Sequence, residues 1–136
     1  MSNADTLRRI FTLMDEKKFD AIVDLLSPSF MAQMGGNPPM NVEQWKGMGH
    51  VFFEAFPDGK HTIDECHDIP GDRVALRGSF EGTHRSAFMG IPPTGKKIRM
   101  TFMNLDRFEN GKLVEHRFEG DMAGLLTQLG VLQGAK

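Results

Sequence analysis

The sequence predicts an α+β domain in which N-terminal helices pack on one face of a curved antiparallel sheet and enclose a pocket. Three observations predict this class. Apolar residues recur at helical spacing in the first third of the chain, they alternate with a period of two from about residue 61 onward, and turn motifs separate the alternating segments. Helices followed by hairpin-connected strands are typical of the α+β class.

The helices are predicted from apolar faces and from their start and stop signals. Apolar residues lie on one helical face between positions 7 and 14 and again between 19 and 26, and Pro28 then stops the second helix. A third helix begins at Asn41, because Gln44 three residues later completes a capping box. A final short helix is predicted over 121–129.

The strand pair at the C-terminal end can be given a register. The Asn110-Gly111 turn joins strands 98–108 and 113–119, and a two-residue turn fixes which residues lie opposite each other. With Phe108 opposite Leu113, one face is mixed in character and the other is mostly apolar. The mixed face carries Phe102, Asn104, Asp106, Glu115, Arg117 and Glu119, with Asp121 just beyond it. The apolar face carries Met103, Leu105, Val114, His116 and Phe118.

The mixed face allows two interpretations. Aromatic side chains beside carboxylates, an amide and a guanidinium are typical of a ligand pocket with a few polar groups in apolar walls. Alternatively, this face meets water and its charges pair across the strands. The apolar face is available to pack against a second subunit.

Composition narrows the function classes. The chain has 136 residues, 40% hydrophobic and 25% charged, which indicates one folded domain over 1–136. A net charge of −2 argues against nucleic-acid or anionic-membrane partners. A single cysteine and the lack of an apolar signal or membrane segment favour a cytoplasmic protein. No tyrosine is present, so a phenol cannot be the proton donor.

Metal and cofactor motifs are missing from the sequence. His61, Cys66 and His67 do not have zinc-ligand spacing, and no glycine-rich phosphate-binding pattern occurs. We therefore expect neither a metal nor an organic cofactor.

A set of short segments resembles the SnoaL-like polyketide cyclase (ester cyclase) family, in the family's order and spacing over about residues 5–130. The segments are Phe56-Pro57-Asp58, Gly71-Asp72-Arg73-Val74-Ala75, Gly82-Thr83-His84, Gly90-Ile91-Pro92-Pro93-Thr94-Gly95-Lys96, Arg107-Phe108, Gly111-Lys112-Leu113-Val114-Glu115-His116, Asp121, Gly124-Leu125-Leu126 and Gln128-Leu129-Gly130.

The resemblance implies a nuclear transport factor 2-like fold, a cone of helices against a bent sheet, and members of the superfamily often dimerise through the sheet face. Characterised cyclases of the family close a ring by aldol chemistry without metal or organic cofactor, using a carboxylate that matches Asp121. Arg117 stands where family members commonly carry a tryptophan.

Each candidate site residue has a functional and a structural interpretation. Asp121 is the candidate general base or acid, and otherwise caps the last helix. Asn104 would stabilise an enolate oxygen, or pair with Arg117 across the strands. Arg117 would bind an anion or orient water beside Glu119 and Asp106, or form an ion pair. His84 would shuttle a proton at the pocket mouth, or lie exposed in a loop.

Three functional hypotheses follow. The first is a cofactor-independent cyclase or isomerase that acts on a small apolar carbonyl compound, with Asp121 as the catalytic acid or base. The second is epoxide-hydrolase-like activation of water by Arg117 with Glu119 and Asp106. The third is a non-catalytic module that binds a small ligand. The predicted substrate-binding residues are Trp45, Phe52, Phe102 and Phe108, and a pocket blocked by Trp45, Phe102 and Phe108 would favour the non-catalytic module.

Overall fold

The computed structural model describes residues 1–131, so positions 132–136 of the predicted single domain lie outside the described residues. The helices are α1 (Asn3–Asp15), α2 (Phe19–Val23), α3 (Val42–Ala55) and α4 (Met122–Gln128). The strands are β1 (Leu26–Met34), β2 (Lys60–Ile69), β3 (Arg73–Thr83), β4 (Lys97–Glu109) and β5 (Lys112–Gly120). The predicted α+β class is confirmed, and the capping box at Asn41 is present.

The five strands form one sheet in the order β1-β5-β4-β3-β2. All neighbouring pairs are antiparallel except β1 and β5, which are parallel, so the expectation of a purely antiparallel sheet is corrected at this edge. The sequence interpretation missed β1, because it extended the second helix to Leu26. The helix ends at Val23 instead, and Leu26 pairs with Leu113. This pairing with a distant strand is not visible in local periodicity.

A β-bulge early in β5 changes the predicted register. Asn110 and Gly111 both have positive φ, as a two-residue hairpin turn of type I′ requires, and Phe108 lies opposite Leu113 as predicted. The next pair is Arg107 with Glu115, so Val114 is an extra residue in β5. Every β5 residue after the bulge therefore points to the face opposite to the predicted one.

Because of the bulge, each face of the β4–β5 pair is more uniform in its side-chain chemistry than the sequence predicted. The inward face, which the helices cover, carries Phe102, Asn104, Asp106, Phe108, His116 and Phe118. The outward face carries Met103, Leu105, Arg107, Glu115, Arg117 and Glu119. The prediction that the charged β5 residues share a face with Asn104 and Asp106 is wrong.

The outer face of the sheet retains an apolar strip in the middle of its charged residues. Met103 is 60% exposed and Leu105 is 40% exposed. His116 and Phe118, which the sequence interpretation had placed beside them, lie on the opposite face. The homodimer through this face stays a prediction. No helix among residues 1–131 combines the length and the apolar character that a membrane span requires.

Aromatic side chains fill the space between the helices and the sheet. Phe80 on β3 lies at the centre, with ring centroids 5.7 Å from Phe53, 6.0 Å from Phe52 and 6.0 Å from Phe56. Its ring is also 5.0 Å from the ring of His61 on β2. Edge-to-face aromatic pairs add stability beyond the burial of their area. Phe80 therefore connects the C-terminal end of α3 to strands β2 and β3.

The turn after α3 is tied to the end of β3 by one carboxylate. Asp58 accepts hydrogen bonds from the Thr83 backbone N–H and from the Thr83 hydroxyl, both at 2.7 Å. The backbone N–H first, and then the hydroxyl, lower the pKa of Asp58 below its usual value. These contacts connect two of the family-like segments and hold Phe56 against the core.

The free energy of unfolding is expected to depend on pH through Asp58. Because the folded-state pKa is depressed, the stabilisation is present above the unfolded-state value of about 4 and is lost as pH falls through the folded-state value. In urea titrations, the stability difference between wild type and Asp58→Asn should therefore stay constant near neutral pH and shrink as the pH falls below about 5. Thr83→Val, which removes only the hydroxyl donor, should show part of this effect. Parallel pH profiles for wild type and Asp58→Asn would refute this role.

Candidate active site

A cavity of about 80 Å³ lies between the helices and the inward face of the sheet. Its walls are mostly aromatic and methionine side chains, together with the imidazole rings of two histidines from different strands. The lining residues are Phe11, Met14, Phe19, Met34, Trp45, Met48, Gly49, Phe52, Phe53, His61, Phe80, Met100, His116 and Phe118. Methionine side chains adapt their shape at low cost, so the cavity can enlarge around a ligand.

His116 on β5 forms a pair with a buried carboxylate behind the cavity wall. Its Nδ1 is 2.7 Å from Oδ1 of Asp106, and the two side chains are 5% and 0% exposed. The same Oδ1 accepts the backbone N–H of Arg117 at 3.1 Å, which identifies it as an acceptor. Nδ1 of His116 therefore donates to Asp106, and Nε2 is the ring nitrogen with a free lone pair for a ligand.

A second histidine–carboxylate pair lies at the same cavity, on the edge strand β2. Nδ1 of His61 lies 2.6 Å from Oδ1 of Asp15, the last residue of α1. Both carboxylate oxygens of Asp15 also accept the His61 backbone N–H, at 3.2 and 3.1 Å. The His61 ring packs 4.9 Å from Phe11 and 5.7 Å from Phe102. Asp15 thus holds His61 in place through hydrogen bonds to both its main chain and its side chain.

Buried polar atoms without partners lie beside the first pair. Both side-chain polar atoms of Asn104, and Oδ2 of Asp106, have no hydrogen-bond partner among residues 1–131. Asn104 is 4% exposed and lies opposite Phe118, so the expected cross-strand pairing with Arg117 is wrong. Such groups usually bind an ordered water molecule or a ligand.

Asp121 lies outside the cavity. The side chain is exposed, and its Oδ1 accepts the backbone N–H of Gly124 at 2.9 Å, so it caps α4. The expectation that this carboxylate is sheltered in an apolar pocket is wrong. The physical reason is that the chain leaves the sheet at Gly120 and starts a helix, whose first amides need an acceptor.

Arg117 and Glu119 are also on the outer face of the sheet, because of the bulge. Both side chains are exposed, and Arg117 lies opposite Leu105. Nε of Arg117 donates to Glu115 at 3.0 Å, and this hydrogen bond lowers the pKa of Glu115. Asp106 points to the opposite face. The three groups that the hydrolase hypothesis requires together are therefore separated by the sheet.

His84 is fully buried, so both expectations for it are wrong. Its Nδ1 accepts the Thr94 backbone N–H at 3.1 Å, and its main chain pairs with Lys96 and Gly95. These bonds tie the loop that contains Pro92 and Pro93 to the residue that follows β3. His84 does not line the cavity, and its role in the structure is to hold this loop.

Of the four aromatic residues predicted to bind the substrate, two line the cavity and two do not. Trp45 and Phe52 line the cavity. Phe102 lies behind the wall, stacked 5.0 Å from Phe118, and Phe108 is a buried core residue that is 1% exposed.

The sequence interpretation missed His61, Asp15, His116 and Phe118 as residues of the site. One signal in the sequence could have revealed His116 and Phe118. The predicted face mixed charged with apolar side chains, and a shift of β5 by one residue places them on separate faces. The pairing of His61 with Asp15 had no local signal. Nowhere within residues 1–131 are three histidine, cysteine or acidic side chains grouped as metal ligands.

Fold and site together define a class of protein: an α+β cone whose helices and bent sheet enclose an apolar cavity with buried acid–base groups. The chain belongs to the SnoaL-like polyketide cyclase family, whose model matches residues 4–129. The nuclear transport factor 2-like fold that the resemblance implied is therefore confirmed. Membership supports a cyclase- or isomerase-type enzymatic role at the level of the family.

Individual relatives show how varied the family is. The aklanonic acid methyl ester cyclase DauD of Streptomyces sp. (strain C5) is 22% identical over 129 residues, which cover 93% of this chain and 80% of the relative. IdmH of Streptomyces antibioticus, a proposed polyketide cyclase, is 30% identical with a TM-score of 0.84 over 96% of this chain and 100% of its own. AclR of Streptomyces galilaeus, a proposed hydroxylase, is 26% identical with a TM-score of 0.88 over 98% and 88%.

Proposed function

We propose that this protein is a cofactor-independent cyclase or isomerase that removes a carbon-bound proton from a small apolar carbonyl compound. The single observation that carries the proposal is the pair of His116 and Asp106, joined at 2.7 Å in the wall of an apolar cavity. His116 takes the role of general base that the sequence interpretation had given to Asp121.

The chemistry follows from the orientation of the imidazole. Asp106 accepts from Nδ1 and so holds the tautomer in which Nε2 has the lone pair. Nε2 takes a proton from the carbon next to a carbonyl group, and the electron pair moves into the new carbon–carbon double bond of an enolate. Asp106 then stabilises the imidazolium that forms. The apolar walls keep water away from this carbanion-like intermediate.

The size of the cavity supports a small substrate. Pockets for drug-sized ligands usually have volumes of about 300–1,000 Å³, whereas this cavity has about 80 Å³. A compound several times larger than the cavity would need Trp45 and Phe52 to move. Four methionines in the wall, Met14, Met34, Met48 and Met100, permit a smaller expansion.

The hydrolase alternative has no structural observation in its favour, because Arg117 and Glu119 lie on the outer face and Asp106 on the inner one. A non-catalytic binding module would use the same cavity. Catalysed proton exchange is expected only of the cyclase or isomerase, and incorporation of solvent oxygen only of the hydrolase, so two assays separate the three functions.

The test is deuterium exchange of butan-2-one in D₂O, followed by proton NMR. The protein is expected to accelerate exchange next to the carbonyl well above equimolar free imidazole, and ¹⁵N-histidine NMR should show His116 with the proton on Nδ1. Butan-2-one that binds without accelerated exchange would indicate a binding module. Catalysed opening of 1,2-epoxybutane in ¹⁸O-water, with label in the diol, would instead indicate the hydrolase.

A further inference from the structure

We infer that Asn104 is a positioning residue of the candidate active site, which holds the carboxylate of Asp106, and through it the ring of His116, by way of one internal water molecule. The inference rests on the proposed function of His116. It begins from three polar atoms that have no hydrogen-bond partner among residues 1–131, namely Oδ1 and Nδ2 of Asn104 and Oδ2 of Asp106.

The first step of the argument is that the neighbouring strands offer Asn104 no polar side chain. Asn104 and Asp106 are two residues apart on β4, so both side chains stand on the inward face of the sheet. The residue opposite Asn104 on β3 is Leu76, which is 2% exposed, and the residue opposite it on β5 is Phe118. The amide of Asn104 is therefore flanked by apolar side chains on both sides.

The second step is that bulk solvent does not supply the missing partners. Asn104 is 4% exposed and Asp106 is fully buried. Buried polar atoms in native proteins are almost always hydrogen-bonded, either to protein groups or to ordered water, because an unpaired one has lost its hydration without compensation. An internal water molecule with two to four polar partners is the usual way in which such a cluster is satisfied.

The third step is that the spacing of the two side chains fits one water molecule. Residues two apart on an antiparallel strand are separated by roughly 6.8 Å. Short side chains that stand parallel at this spacing do not reach each other, and no hydrogen bond joins Asn104 to Asp106. Two successive hydrogen bonds through one water oxygen span roughly 5 Å. The water donates to Oδ2 of Asp106 and accepts from Nδ2 of Asn104.

This bridge would fix the carboxylate that orients the proposed base. Oδ1 of Asp106 accepts from Nδ1 of His116 at 2.7 Å and from the backbone N–H of Arg117 at 3.1 Å. A hydrogen bond on Oδ2 stops the carboxylate from rotating about its Cβ–Cγ bond, which keeps Oδ1 directed at His116. Asn104 is not among the residues that line the cavity, so it acts on the reaction through Asp106. Because small displacements of a reacting group lower the rate steeply, the support is expected to affect kcat.

The experiment compares Asn104→Leu with Leu76→Val in the full-length protein. Leucine has the branched shape of asparagine without its polar atoms, so the water loses its anchor and Oδ2 of Asp106 loses its partner. Asn104→Leu is expected to lower kcat for butan-2-one exchange by about 10-fold and to leave KM within about 2-fold of wild type. The proton signal of Nδ1–H of His116 should shift, and the urea midpoint should fall.

Leu76→Val is the matched control, because Leu76 is the buried apolar neighbour of Asn104 on β3. It should lower the urea midpoint without changing kcat or the ring-proton signal of His116. Asn104→Ser keeps a donor and an acceptor and leaves room for a second water, so it should recover part of the rate that Asn104→Leu loses.

The water is observed directly by NMR of ¹⁵N-labelled wild type. The side-chain amide of Asn104 is assigned by its loss in Asn104→Ser, and it is expected to show a nuclear Overhauser effect with a long-lived water molecule. If Asn104→Leu does not fold, this measurement decides: an amide of Asn104 without contact to such a water would contradict the inference.

The outcomes separate the inference from the proposed function. If Asn104 were an unpaired amide, leucine would remove a buried polar group and raise the urea midpoint. That result, with an unchanged ring-proton signal of His116, would overturn the inference, and so would an equal loss of kcat in Asn104→Leu and Leu76→Val. Wild-type protein that does not exchange butan-2-one would overturn the proposed function, whereas the water contact and the ring-proton signal do not depend on turnover.

Discussion

Replacing His116 by asparagine is expected to lower the rate of proton exchange in butan-2-one by about 10²- to 10⁴-fold, the range typical of a lost general base. Asparagine keeps an N–H close to the position of Nδ1, so Asp106 retains a donor and the protein is expected to stay folded. The rates are measured by proton NMR in D₂O, and folding by circular dichroism. A folded variant with unchanged exchange would show that His116 is not the base.

Asp106→Asn tests the carboxylate that orients His116 in the same site. The side chain is fully buried and keeps its shape in this variant. Its amide can donate to Nδ1 of His116, which would place the ring proton on Nε2 and remove the lone pair from the cavity. A large loss of exchange is therefore expected, together with a change of tautomer in the ¹⁵N spectrum. A loss of activity without the tautomer change would point to a different role for Asp106.

Replacing Phe80 by alanine is expected to cost about 3–5 kcal/mol of unfolding free energy, as for other large-to-small changes of buried aromatic residues. Phe80 is 2% exposed and contacts four other rings. A domain of this size usually has a total stability of about 5–15 kcal/mol, so the loss is a large fraction of it. Urea unfolding followed by tryptophan fluorescence measures the change.

Phe80→Leu is the control for this prediction. It retains most of the apolar volume, and we expect a loss of about 1 kcal/mol. Gly59 packs against Phe80 so closely that an added Cβ would lie 2.5 Å from the ring, which indicates little room for relaxation. Equal stability of Phe80→Ala and Phe80→Leu would mean that the aromatic cluster relaxes around the smaller side chain.

Family membership leaves the reaction of this chain open. Cyclase and hydroxylase activities are attributed to relatives with closely similar folds, which is common for folds whose chemistry depends on a few side chains in the site. The side chains that the proposed function uses are His116 and Asp106, because Asp121 is exposed. The site residues, and not the fold, are the basis for proposing aldol-type chemistry.

Which side chains of β5 face the cavity depends on one β-bulge that the sequence did not reveal. The Asn110-Gly111 turn correctly predicted the hairpin and its first pair, Phe108 with Leu113. Val114 then takes an extra position in β5, and its side chain is buried instead of alternating with its neighbours. Since side chains alternate along a strand, one inserted residue exchanged the faces of Arg117 and His116.

The sequence by itself determined the α+β class, the capped start of α3, the long hairpin of β4 and β5, and the family. Each of these depends on local chemistry, such as periodicity, capping and turn residues, that is present in a short segment. Only the tertiary structure decided which histidines reach the cavity, that β1 joins the sheet in parallel, and that Asp15 meets His61. The physical reason is that these contacts join segments far apart in the chain, and their geometry depends on bulges and bends that local periodicity does not record.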